Sequence, residues 1–167
     1  YSCGDSGLLS VVTSRLNAHG FTVSRKKDAE YEYCISDRGP GYPNRLRSFL
    51  RELGLLGKLS FEKFVPAVVS TWNNESVAAY IRGIFDTDGG VATNSNDSMP
   101  FLRLGMTAGA VVRGVEKLLA ERFGIYGQTC RGNTVGRSTG MYDSVSNHDI
   151  YLLTIADRES VIRFASL

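Results

Sequence analysis

A chain of 167 residues with 43% hydrophobic and 22% charged residues has the makeup of one folded domain or two small ones, not of a disordered or fibrous segment. A net charge of +2 permits a nucleic-acid partner without demanding one, and no apolar run approaches the roughly 20 residues of a membrane span. Three scattered cysteines, Cys3, Cys34 and Cys130, with no CxxC spacing argue against a disulfide framework or zinc cluster and for reduced, buried thiols in an intracellular protein. His19 and His148 have no evident partners for a catalytic triad.

In chain order, residues 8–19 place Leu8, Leu9, Val12 and Leu16 on one helical face, and Gly20 stops that helix. Residues 21–36 are rich in β-formers and read as a strand or hairpin with Arg25, Lys26 and Lys27 in its middle. "RGPGYP" (38–43) is a turn. Residues 44–55 form a helix capped by Asn44, with Leu46, Phe49, Leu50 and Leu53 inward. A connector, 57–69, carries Lys63 and Pro66.

A second clear helix covers 74–86, capped by Asn74, with Val77, Tyr80, Ile81, Ile84 and Phe85 apolar. "GGVAT" and "FLRLGMT" read as strands joined by the polar turn 94–100. A helix at 108–125 ends at Gly124. Strands "YGQTCR" and "HDIYLLTIA" flank a loop rich in Gly, Ser, Thr and Asn at 132–147, and Asp157 caps a last helix.

The layout repeats. Leu8, Leu9, Val12 and Leu16 map onto Val111, Val112, Val115 and Leu119 at an offset of 103, and both helices end at a glycine that leads into a strand. By that offset the counterpart of the 74–86 helix falls about fifteen residues before Tyr1. The chain then reads as a piece of something longer, whose first half lacks its opening helix and first strand.

The end of the 74–86 helix poses the chemical question. "FDTDGG" makes a surface turn easily, because Asp bonds its own backbone and Gly takes positive φ. Yet carboxylates sit badly at a helix C-terminus, where the dipole is already negative, and a divalent cation would offset them. An EF-hand loop is excluded: counted from Asp86, position six is Val91 where Gly is needed, and position twelve is Asp97 where Glu is needed. Gly83 inside the helix costs about 1 kcal/mol relative to Ala, which a second helix pressing close would justify. Two such helices would bring their carboxylates together, and clustered carboxylates with divalent ions suit phosphodiester hydrolysis.

"IRGIFDTDG" (81–89) resembles the LAGLIDADG motif in the form found among intein-encoded homing endonucleases. Gly83, Asp86, Asp88 and Gly89 match, while Arg82 departs from the name in a way familiar in the intein branch. "KFVP" (63–66), with Lys63 lying 25 residues before Asp88, resembles the Lys-x-Ile-Pro block of those proteins. The resemblance implies an α+β LAGLIDADG endonuclease fold: two pseudo-symmetric αββαββα repeats with saddle-shaped antiparallel sheets. An incomplete first repeat would occupy 1–69, lacking its motif helix and first strand, and a second repeat 70–167.

It further implies Asp88 as the metal-binding catalytic acid, with Mg²⁺ or another divalent cation as cofactor, and Lys63 as the active-site lysine. Gly83, Asp86 and Gly89 would serve the interface between motif helices. The expected partner is double-stranded DNA with a long asymmetric site. The DNA contacts would fall to Arg25, Lys26 and Lys27 in the first half, and to Asn94, Asn96, Arg103, Arg131 and Arg137 in the second. Two active-site parts depart from the family pattern. The second motif acid is missing and would come from an N-terminal segment in the same or another chain. The second lysine maps near Ser166. No terminal His-Asn pair for splicing is present, since Asn147-His148 has the reverse order. Alone, the chain is expected to bind DNA weakly and cut poorly. The competing classes are a catalytically inactive LAGLIDADG-type transcription regulator and an RNA maturase.

Overall fold

The computed structural model describes residues 4–37, 44–93, 99–132, 135–136 and 147–167. The chain divides into two compact units, Tyr1–Leu56 and Gly57–Leu167, so the connector that carries Lys63 belongs with the second unit.

In the first unit, α1 (Ser6–Ala18) leads into the antiparallel hairpin β1 (Phe21–Arg25) and β2 (Tyr33–Asp37), followed by α2 (Arg45–Glu52). Asp5 caps α1 by accepting the Leu8 N–H at 2.8 Å. Asn44 opens α2 as the sequence suggests, and it also ties the helix to the hairpin. Its Oδ1 accepts the Arg47 N–H at 3.0 Å and its Nδ2 donates to the Ile35 carbonyl at 2.8 Å. Asp37 is buried and takes the Arg45 backbone N–H together with its guanidinium, at 2.6 Å from Nε.

The second unit starts with two 3₁₀ turns, Ser60–Glu62 and Ala67–Thr71. There follow α3 (Asn74–Asp88), β3 (Gly89–Thr93), β4 (Pro100–Met106), α4 (Gly109–Phe123), β5 (Gln128–Gly132), β6 (Ile150–Ile155) and α5 (Arg158–Ala165). The four strands form one antiparallel sheet in the order β3-β4-β6-β5. Among the described residues no helix is long and apolar enough to cross a membrane.

The cap of α3 is Asn73, one residue earlier than the periodicity indicates; its Oδ1 accepts the Ser76 N–H at 2.8 Å. Asn74 is taken by Arg122, whose Nε and Nη2 reach its Oδ1 at 3.0 and 2.8 Å. The same guanidinium donates to the carbonyls of Ser70 and Trp72, each at 2.8 Å, so one side chain from the last turn of α4 fixes the entry to α3.

One face of the sheet is sealed by helices. Leu104 and Leu153, opposite one another on β4 and β6, are fully buried with Val112, Val115 and Leu119 of α4 and Ile81 of α3. Truncating such a side chain loses its transfer energy and leaves a cavity. Leu104→Ala is therefore expected to lower the stability of the second unit by about 3 kcal/mol, read as a lower urea midpoint with unchanged slope.

The two units share a helix–strand–strand–helix plan, α1-β1-β2-α2 and α4-β5-β6-α5. Gly20 and Gly124 follow the first helix of each at φ +79° and +61°, a conformation that suits glycine. An arginine from the last helix then closes each end: Arg45 Nη2 donates to the His19 carbonyl at 2.9 Å, and Arg163 Nη1 to the Gly124 carbonyl at 2.8 Å. The burial differs. Val111, Val112, Val115 and Leu119 of α4 are buried beneath a helix and a four-stranded sheet, whereas no residue of α1 is buried.

Candidate functional site

Helix α3 runs two residues beyond its expected end, so Asp86 lies in its last turn and Asp88 is its final residue. The stop is steric. Gly89 has φ −99° and ψ 176°, an extended conformation open to any residue, but a Cβ there would lie 2.6 Å from Phe85 Cδ1 and 2.7 Å from the Phe85 carbonyl oxygen. Asp86, Thr87 and Asp88 are all exposed. The Thr87 hydroxyl lies 2.8 Å from Asp88 Oδ2 and 3.1 Å from the Ile84 carbonyl, within donating reach of both. Two carboxylates and the last carbonyls of a helix thus share one solvent-facing tip, where the dipole adds negative potential and draws cations.

The same helix has two faces. Val77, Ala78 and Ile81 are buried in the core, whereas Ala79, Gly83 and Asp86 line an exposed stripe at helical spacing. A Cβ built on Gly83 would meet nothing within 4 Å.

Strand β3 begins immediately after Asp88, and its register sets what lies beside the acidic tip. Gly90 pairs with Arg103, Arg103 with Thr154, and Thr154 with Gln128. Because side chains alternate along a strand, this row faces away from the helices that bury Leu104 and Leu153. Arg103 is exposed, its guanidinium 5.1 Å from the centroid of the Phe101 ring two residues earlier. Gln128 and Thr154 escape the sequence reading. Alternation in "YGQTCR" gives Gln128 a face, but only the β4-β6-β5 register places it in line with Arg103.

Lys63 is exposed and directly follows the turn Ser60–Glu62, with extended backbone. Two residues on, Val65 packs against Gly114 of α4, where an added Cβ would come within 2.5 Å of Val65 Cγ2. Among the other expected DNA contacts, Arg25 donates from Nε to the Ala29 carbonyl at 3.1 Å, and Lys26 pairs with Glu32 at 2.7 Å. Both interactions close the β1–β2 turn; hydrogen bonding to Glu32 raises the Lys26 pKa and that to Lys26 lowers the Glu32 pKa. Lys27 is exposed beside them. Arg131 pairs in register with Tyr151 on the helix-covered face, opposite to Arg103, and its Nε donates to Asp149 Oδ2 at 2.5 Å. That hydrogen bond raises the Arg131 pKa further. Asn94, Asn96 and Arg137 lie outside the described residues.

Among the described residues no three His, Cys, Asp or Glu side chains gather to hold a metal ion. The residues present nevertheless fit a share in one. Mg²⁺ keeps several waters and needs only one or two protein carboxylates, and Asp88 offers an accessible one.

Three likenesses to known proteins accompany this geometry. A family model described as a LAGLIDADG-like domain matches residues 75–167. The replicative DNA helicase DnaB of Rhodothermus marinus is 30% identical over 126 residues, covering 75% of this chain and only 12% of the helicase. A crystal structure of the N-terminal LAGLIDADG domain of DUF199/WhiA superposes with a TM-score of 0.51 at 13% identity, covering 99% of this chain and 67% of that one.

Proposed function

The chain belongs to the LAGLIDADG-like domain family, and from that membership we propose that it is the DNA-contacting and partly catalytic portion of a site-specific double-strand endonuclease of the intein-carried type. The observation that carries the reading is the junction of α3 and β3. Asp88 ends a helix whose open stripe includes Gly83, and two residues later Gly90 stands opposite Arg103 at the start of an outward polar row. In this reading the pairing of β3 with β4 sets an acid for the phosphodiester beside the first residue of a polar row that β4, β6 and β5 build together.

In this reading the row Arg103–Thr154–Gln128 lies against base edges, where Arg suits guanine and Gln suits adenine. Lys63 stands near the attacked phosphate, where an ammonium offsets charge that grows on the non-bridging oxygens. Asp88, together with the acid of a second motif helix packed on the Ala79–Gly83 stripe in the same or another chain, would hold a divalent cation. When bound, that cation would neutralise phosphate charge and activate water. The intein assignment is supported by the helicase likeness, because a matching stretch that makes up 12% of a replicative helicase is what a domain carried inside a host protein would look like.

The test joins this chain to a second motif helix and supplies DNA bearing its own insertion site. Double-strand cleavage is expected in Mg²⁺, together with a gel shift that persists without it. Arg103→Ala is expected to weaken specific binding about tenfold and relax discrimination at one base pair, within the roughly 1–3 kcal/mol of a bidentate contact. A shift without any cleavage would favour the non-catalytic regulator, which uses the sheet but gives Asp88 and Lys63 no task. Stronger competition by intron RNA than by duplex DNA would favour a maturase.

A further inference from the structure

We propose that Arg131, Asp149, His148 and Phe61 form a run of contacts that positions Lys63, so that His148 and Arg131 are positioning residues and not DNA contacts. This rests on Lys63 being the active-site lysine.

Lys63 has a long, flexible stem, and where its ammonium can reach depends on how firmly the backbone at its root is held. That root is held on both sides. On the C-terminal side Val65 is seated over Gly114, at a position where any larger residue would collide with it. On the N-terminal side the Phe61 ring stacks on the His148 imidazole, with centroids 4.1 Å apart and planes 26° from parallel. Between them the turn is closed by Glu62, whose Oε2 accepts the Leu59 N–H at 2.9 Å.

The stack extends the hold into the sheet. His148 immediately precedes Asp149, whose side chain is only 11% exposed and is gripped by Arg131 from β5. The approach to β6 is thereby pinned to the neighbouring strand just where His148 must meet Phe61. The route runs from Arg131 through Asp149 and His148 to Phe61, two residues from Lys63. Arg131 faces the helix-covered side of the sheet and spends its guanidinium on Asp149, which gives it a role in this route and none in the outward row. A displacement of about 1 Å in a catalytic group can cost about 10²-fold in rate, so loosening the root of Lys63 carries a large kinetic penalty with little loss of binding.

His148→Ala removes the stacked ring, His148→Phe restores one, and Phe61→Leu breaks the stack from its other side. Amide hydrogen exchange of residues 59–65, followed by mass spectrometry in the full chain, is expected to quicken about tenfold in His148→Ala and Phe61→Leu and to recover in His148→Phe. In the cleavage-competent two-motif enzyme kcat is expected to fall about tenfold with KM nearly unchanged, again with rescue by Phe. Arg131→Ala is expected to copy His148→Ala without weakening DNA binding. Unchanged exchange in both stack variants would overturn the proposal, as would an Arg131→Ala that weakens DNA binding and leaves exchange alone. Quickened exchange in an enzyme that never cuts would uphold the positioning of residue 63 and overturn the nuclease reading instead.

Discussion

Asp88→Asn is expected to reduce cleavage by the two-motif enzyme at least about 10³-fold while leaving its gel shift nearly unchanged. The substitution keeps size and polarity, and Asp88 is an exposed helix terminus with no burial to lose, so the fold should not register it. What disappears is the negative charge at a tip already made negative by the last carbonyls of α3. Asparagine can still accept from the Thr87 hydroxyl, which preserves the local hydrogen bond and isolates the charge as the variable. Asp86→Asn provides the contrast. Asp86 lies on the same exposed stripe as Gly83 and is assigned to the helix interface, so its loss is expected to cost about tenfold or less in cleavage. Plasmid cleavage in Mg²⁺ alongside gel shift separates the two. Equal losses would mean that neither acid is special, and an unimpaired Asp88→Asn would remove the chemical basis of the nuclease reading.

How far these features could be read in advance depended on sequence range. The apolar spacing of α3, the stops at Gly20 and Gly124 and the cap at Asn44 are set by residues within a turn or two of one another, and they are legible in the string. Asn73 and Asn74 show where that legibility ends. Either can cap a helix, and the choice falls to Asn73 because Arg122, 48 residues further on, engages Asn74. The basic run at 25–27 is legible by composition, but the partners of Arg25 and Lys26, the Ala29 carbonyl and Glu32, come into reach only once the hairpin turn exists. Arg131 is harder still. Its face depends on the register between β5 and β6 across a long loop, and Asp149 becomes its partner only through that register. Gln128 and the Phe61–His148 stack are hidden for the same reason. Charge and spacing single out Asp88 in the string, while only strand pairing shows that Arg103 lies on the outward face of the sheet and Arg131 on the other.

Gly83→Leu makes the remaining claim quantitative, because its two expected effects have opposite signs. In the chain alone a side chain at Gly83 points into open space, with nothing within 4 Å of its Cβ. Leucine forms helix about as well as alanine, whereas glycine is about 0.8–1.0 kcal/mol worse, so the variant is expected to be more stable by up to about 1 kcal/mol and to melt a few degrees higher. In the proposed two-motif enzyme the same position is where a second motif helix would approach backbone to backbone. Leucine there pushes the helices apart by more than an ångström and carries Asp88 away from its counterpart, and cleavage is expected to fall by about 10² or more. Gly83→Ala should lie between, nearly as stable and only partly impaired. A helix that merely decorates the surface would gain stability from either substitution and lose no activity. Stabilisation together with inactivation is therefore the signature of a face kept bare for a partner, and a fully active Gly83→Leu enzyme would leave Asp88 with no second acid to meet.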